Sequence, residues 1–143
     1  MDHVLSEEKK VGGIMKVKTV GYYKEMPHAD NVNESIFDFI NKEDDSLIED
    51  ICGYLESGIE FVVSPGMVDD VINPEKGPAG ITSTYTDGKW LWPGDLAYYV
   101  RNYKLKLPDA FIETMRKSGW KVTTTMEDLD FNEIEVNGVK LFE

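Results

Sequence analysis

Strand-like alternation of apolar and polar residues lies near both ends of the chain. Residues 14–20 alternate with a period of two, and the short apolar run over residues 59–63 predicts a second, buried strand. Residues 120–125 are rich in β-branched side chains and favour another strand. Two hairpins are indicated by their turns, with Asp87-Gly88 between residues 81–86 and 89–92, and Asn137-Gly138 between residues 134–136 and 139–142.

Helical patterns occupy the middle of the chain. In residues 45–57 the apolar positions recur on one face, and Gly58 follows as a stop signal. A second helix is predicted from residue 95 to about residue 103. A third is predicted over residues 108–117, because Pro108 suits the first helical position. We therefore expect about three helices.

The order of these elements predicts an α+β fold. Strands dominate both ends and hairpins interrupt the helices, so we expect a mainly antiparallel sheet with about three helices packed on one face. Residues 1–13 are polar and lack a period, which predicts a flexible N-terminal tail before a single α+β domain of residues 14–143. Residues 64–80 contain three prolines and three glycines and predict an ordered, irregular connection.

Composition places the chain among soluble cytoplasmic domains. It has 143 residues, one cysteine, and 27 acidic against 15 basic residues, for a formal net charge of -12. One cysteine excludes an internal disulfide framework, and no apolar run approaches a membrane span. The negative charge argues against nucleic acid as a partner, because phosphates require a basic surface.

The acidity is concentrated in two stretches. Residues 30–60 contain ten acids and one base, and residues 127–143 contain six acids and one base. Such a stretch is either a solvated surface or an anionic docking surface for a basic protein, which would speed association. The docking hypothesis names acids of the first helix and of the C-terminal hairpin: Asp44, Asp45, Glu49, Asp50, Glu56, Asp128, Asp130, Glu133 and Glu135.

Residues with catalytic chemistry are few. His28 lies in a proline-containing loop, where a lone imidazole is typical of the surface, and Cys52 adjoins an apolar helix face that predicts a buried, inert thiol. Asp69, Asp70 and Glu75 lack the spacing of a calcium loop, and no phosphate-binding glycine motif is present. The sequence therefore predicts no catalytic residues, no metal and no cofactor.

Aromatic residues are concentrated between positions 85 and 120, where half of the sixteen aromatic residues lie. Such a block is typical of a core between hairpin and helices. The same side chains would also suit a ligand pocket, because cores and apolar pockets use the same residues. The candidate pocket residues are Asp87, Trp90, Trp92, Asp95, Tyr98 and Tyr99.

A longer motif runs through this block. Ser64-Pro65-Gly66 is followed by Thr86-Asp87-Gly88-Lys89-Trp90-Leu91-Trp92-Pro93-Gly94-Asp95-Leu96-Ala97-Tyr98-Tyr99-Val100. The segment 54–122 resembles a group of small bacterial proteins that share this Ser-Pro-Gly turn and Trp-x-Trp-Pro core. That resemblance implies a bacterial origin and a shared fold, and it implies no catalytic residues. In size, acidity and fold class the chain is also similar to the immunity proteins of bacterial toxin systems.

Three functions follow as hypotheses. The first is a non-enzymatic acidic protein that binds a basic protein partner, as an immunity protein does. The second is a small-molecule-binding or enzymatic domain with the aromatic pocket. The third is a structural protein that forms a homodimer through the exposed edge of its final hairpin.

Overall fold

This computed structural model describes residues 15–130 and 133–140. They contain eight strands, three α-helices and several short 3₁₀ turns. The strands are β1 (Met15–Thr19), β2 (Ile59–Val62), β3 (Met67–Asp69), β4 (Pro78–Ile81), β5 (Thr84–Thr86), β6 (Trp90–Pro93), β7 (Ile134–Val136) and β8 (Val139–Lys140). The helices are α1 (Ile48–Glu56), α2 (Leu96–Tyr103) and α3 (Asp109–Lys117). The predicted tail, residues 1–13, lies outside the described residues. So do residue 14 of the first predicted strand and residues 141 and 142 of the last one.

Six strands form one mixed sheet in the order β2-β5-β6-β1-β7-β8, and β3 and β4 form a separate two-stranded sheet. The prediction of an α+β fold is confirmed. Antiparallel pairs are the majority, as expected, but β1 is parallel to both β6 and β7. The reason is connectivity: long segments lead from β1 to β6 and from β6 to β7, and only a long crossover can join parallel strands.

The three helices pack on one face of this sheet. Trp92 and Leu91 are neighbours in β6, so their side chains point to opposite faces. Trp92 belongs to the large core with residues of all three helices, whereas Leu91 packs on the other face with Val17 and Ile134. The Trp92 Nε1 donates a hydrogen bond to the Leu55 carbonyl oxygen at 3.2 Å. This bond fixes α1 above the sheet.

Two regions differ from the sequence prediction. Residues 120–125 do not form a strand: Trp120 adopts a left-handed conformation (φ 64°), and the Val122 amide donates to the Ser57 hydroxyl instead of to a neighbouring strand. The connection over residues 64–80 contains the β3-β4 hairpin, in which Ile81 pairs with Met67. The predicted hairpin around Asp87-Gly88 is present, but its first strand begins at Thr84.

The C-terminal hairpin is present with the turn that its sequence predicts. Asn137 and Gly138 both have positive φ, 53° and 85°, as a type I′ turn requires. The Asn137 side chain then bonds to Thr19 twice, accepting from its amide at 2.9 Å and donating to its hydroxyl at 2.8 Å. The turn is thereby attached to the end of β1.

Candidate functional site

The outward face of α1 carries carboxylates. Ile48, Ile51, Cys52, Tyr54 and Leu55 are buried on its inner side. Glu49, Asp50 and Glu56 are exposed, and helical spacing predicts this outward position for Glu49 and Glu56. Asp44 and Asp45 lie just before the helix, where the Asp44 carboxylate accepts from the Ser46 amide. We call Asp44, Asp45, Glu49, Asp50 and Glu56 the acidic face.

Two basic residues lie against this acidic face: Arg101 of α2 and Lys104, which directly follows the helix. No sequence pattern predicted either contact. The Arg101 guanidinium bridges Glu49 and Glu56, at 3.3 and 3.2 Å. The Lys104 ammonium lies 2.8 Å from an Asp45 carboxylate oxygen. These carboxylates raise the pKa of Arg101, chiefly through the hydrogen bonds to Glu56 and Glu49. Because more than 40 residues separate these partners, helix packing brings them together, not local sequence.

Gly53 lies in the middle of the acidic face. A side-chain carbon added at this glycine would meet no atom within 4 Å, so the backbone of α1 is open to solvent there. Glycine in a helix interior costs about 0.5–1 kcal/mol relative to alanine. Internal packing therefore does not explain a glycine at this position.

The C-terminal acids are in different settings from those of α1. The Asp128 carboxylate accepts from the Thr125 amide and hydroxyl and caps a short 3₁₀ turn. Glu133 is exposed just before β7, and Glu135 is half-buried and opposite Lys16 in the pairing of β7 with β1. Asp130 is half-buried. Asp128 thus lies in the 3₁₀ turn, Asp130 shortly after it, Glu133 directly before β7 and Glu135 within β7.

The six candidate pocket residues are distributed between the core and several clefts. Trp92 is 1% exposed and Tyr99 is fully buried, which matches the expectation of a packing core. Trp90, Trp92 and Asp87 line three different clefts. Tyr98 contacts Tyr99 edge-on, with ring centroids 5.3 Å apart. The geometry therefore uses most of these side chains for packing.

Asp70 is the most fully bonded of the buried carboxylates. It is 0% exposed and accepts from the Ile72 and Asn73 amides and from the Tyr98 and Tyr103 hydroxyls, at 2.5–2.8 Å. Burial acts to raise its pKa, but these four hydrogen bonds outweigh burial and lower it. Burial and the bond to Asp70 raise the pKa of both tyrosines to about 12. Asp70 thus joins the loop after β3 to α2.

Asp87 performs a similar task in the β5-β6 turn. Its carboxylate accepts from the Lys89 and Trp90 amides at 2.8 and 2.7 Å, and from the Tyr54 hydroxyl at 2.5 Å. Burial and this carboxylate raise the pKa of Tyr54. The three bonds organise the turn and connect it to α1, so Asp87 has a structural role.

His28 is not the surface residue that its loop position predicted. Its side chain is 12% exposed, and its Nε2 lies 3.2 and 3.3 Å from the two carboxylate oxygens of the fully buried Asp95. The Tyr22 ring packs edge-on against the imidazole at 6.0 Å between centroids. No sequence signal links residues 28 and 95, because their proximity depends on how the 21–35 loop folds over the start of α2.

The remaining candidates for chemistry are the single thiol and sets of metal-ligating side chains. Cys52 is a free, fully buried thiol, and its burial raises its pKa to about 11, as expected of an inert thiol. Among residues 15–130 and 133–140, no three His, Cys, Asp or Glu side chains lie together as metal ligands would. In that same part of the chain, every helix is too short or too polar to cross a membrane.

Comparisons with family models, curated proteins and solved structures found no match to this chain.

Proposed function

We propose that this protein is a non-enzymatic binding protein that docks a basic protein partner on its acidic face. More specifically, we propose an immunity-type inhibitor, a protein that binds a toxin and covers a basic surface on it. The observation that carries the proposal is the outward side of α1, where exposed carboxylates surround an open glycine. The acids of the C-terminal segment remain a further prediction.

The internal ion pairs leave the acidic face available to a partner. The Glu49 and Glu56 side chains are 74% and 54% exposed, although both contact Arg101. Exposed ion pairs of this kind contribute about 0–1 kcal/mol, so a partner's arginine or lysine replaces Arg101 at little cost. Asp50 is exposed and makes no ion pair among the described residues.

Gly53 supports close contact at the same face. Without a side chain at this position, a partner's side chain would reach the α1 backbone at Gly53 itself, next to the exposed Glu49 and Asp50. The surrounding carboxylates steer a basic surface toward this point, and such steering raises association rates by orders of magnitude at low salt.

The test is capture of a basic protein from an extract of the host cells by the immobilised chain. The double variant Glu49→Lys with Asp50→Lys is expected to lose capture, because it replaces attraction by repulsion. For the captured partner, we expect its association rate with the wild type to fall steeply as salt rises.

The matched control is Asp69→Lys with Glu75→Lys. Both residues are exposed and lie outside the acidic face, and the control changes the net charge by the same amount. The control should capture the partner as the wild type does. Equal capture by the two double variants, or a captured partner without a basic surface, would refute the proposal.

A further inference from the structure

β1 carries two lysines on one face of the six-stranded sheet. The helices cover this same face over the other half of the sheet, around β6. Lys16 and Lys18 alternate with Val17, whose side chain is buried on the opposite face. In register, Lys18 is beside Trp90 and Lys16 is beside Glu135, so these four side chains share one face. No pattern in the sequence predicts this group of side chains.

These side chains line a cleft of about 520 Å³, together with Val17, Lys89, Asn137 and Gly138. Its volume is within the range of small-molecule sites, roughly 300–1,000 Å³. Lys16, Lys18 and Lys89 are exposed, and none has an acidic partner within 4 Å among the residues that the structure describes. The cleft is therefore bordered by three exposed lysines.

We propose that this cleft binds a small organic phosphate with a planar ring, of the nucleoside monophosphate class. Three ammonium groups and the Glu135 carboxylate leave a local excess of two positive charges, which matches one phosphate dianion. Lysine ammonium groups bind phosphate as point charges. A polyanion such as nucleic acid fits less well, because the chain as a whole repels it.

Trp90 supplies the surface for the ring. Its Nε1 donates to the Thr114 hydroxyl at 3.3 Å, and its ring packs on Phe111 with centroids 5.0 Å apart. These contacts hold the half-buried indole in place, and its accessible part lines the cleft beside Lys18. A planar aromatic ring gains by packing against a fixed indole.

Hydrogen bonds between neighbouring elements fix the walls of the cleft. The paired bonds between Asn137 and Thr19 attach the β7-β8 turn to β1, and the Lys18 amide donates to the Lys89 carbonyl at 3.0 Å. A ligand therefore orders only lysine side chains, which keeps the entropic cost of binding low.

The test is isothermal titration calorimetry of the full chain, with adenosine monophosphate, inorganic phosphate and adenosine as three separate ligands. We expect adenosine monophosphate to bind more tightly than either of its parts. Lys18→Gln should weaken its binding roughly tenfold, as expected for loss of one charge-assisted contact. Trp90→Leu should weaken adenosine monophosphate binding and leave inorganic phosphate binding unchanged.

Lys121→Gln is the matched control, because Lys121 is exposed and does not line the cleft. It should bind like the wild type, and circular dichroism should show that every variant is folded. No binding of adenosine monophosphate at millimolar concentration would overturn the proposal, as would equal loss in Lys18→Gln and Lys121→Gln. Equal affinity for adenosine monophosphate and inorganic phosphate would overturn the assignment of a planar ring.

This inference does not rest on the acidic face. The Glu49→Lys, Asp50→Lys variant should bind adenosine monophosphate at least as tightly as the wild type. Loss of partner capture by that variant leaves the phosphate proposal standing, and failure of phosphate binding leaves the acidic-face proposal standing.

Discussion

The carboxylates of this protein fall into two groups with opposite environments. Asp70, Asp87 and Asp95 are 0–5% exposed, and each is bonded to groups distant in the sequence. The acids of the acidic face are exposed, and three of them contact surface cations: Glu49 and Glu56 contact Arg101, and Asp45 contacts Lys104. Burial makes a carboxylate costly unless it is fully bonded, whereas exposure makes it nearly neutral for stability. The first group therefore maintains the fold, and the second is free to serve binding.

The largest expected effect distinguishes two adjacent aspartates. Asp70→Asn should lower the free energy of unfolding by about 2–4 kcal/mol, because an amide cannot accept all four hydrogen bonds that reach Asp70. Asp69→Asn should change it by less than about 0.5 kcal/mol, because Asp69 is exposed. Urea unfolding at pH 7 measures both. Equal effects would remove the distinction between buried and exposed carboxylates.

The pH dependence of stability sharpens the same comparison. Asp70 has a lower pKa in the folded than in the unfolded chain, so its stabilisation is present above the unfolded value, about 3.9. It is lost as pH falls through the lower, folded pKa. Urea unfolding between pH 7 and pH 2.5 should show the gap between wild type and Asp70→Asn closing at the acid end. A constant gap would contradict a lowered pKa.

The His28–Asp95 pair should show a smaller effect that only a double-mutant cycle isolates. His28→Ala, Asp95→Ala and the double variant should give a coupling of about 1–3 kcal/mol, because the pair is buried. The cycle of Asp45 with Lys104, both exposed, is the control and should give less than about 1 kcal/mol. Similar couplings in the two cycles would show that burial does not strengthen the pair.

The smallest effect concerns Gly53 in the middle of α1, with Gly58, two residues after the helix ends, as the contrasting position. Gly53→Ala should stabilise the protein by about 0.5–1 kcal/mol, since the added methyl meets open solvent. Gly58→Ala should destabilise it, because the methyl would lie 2.5 Å from the Trp92 ring. Thermal unfolding of both variants checks this. Destabilisation by Gly53→Ala would mean that the middle of the acidic face is packed.

Local patterns explain why much of the fold was predictable. The apolar positions of α1 define its buried side, and Asn137-Gly138 specifies a type I′ turn by its conformational preference alone. The 120–125 segment was mispredicted because β-branched composition is only a weak preference. In the structure, the left-handed backbone of Trp120 and the hydrogen bond from the Val122 amide to the Ser57 hydroxyl override this strand preference.

The candidate sites divide in the same way. The exposure of Asp45, Glu49 and Glu56 followed from helical spacing, and the place of Cys52 beside the apolar face predicted its burial. Local spacing did not predict three other features: the contact of Arg101 with the acidic face, the burial of His28 and the lysine cleft. Each depends on residues brought together from distant segments, or on a parallel strand pairing that the sequence did not predict.

Local sequence was enough to predict a helix in the α1 segment, the side of it that is buried and the two acidic stretches, because these depend on neighbours within a few residues. The predicted start at residue 45 was wrong, since residues Asp45–Leu47 form a 3₁₀ turn before the α-helix. The tertiary structure decided the parallel placement of β1, the bonding of Asp70 and Asp95, and the grouping of Lys16, Lys18 and Lys89 around Trp90. Packing between distant segments fixes these features, and no local preference encodes such packing.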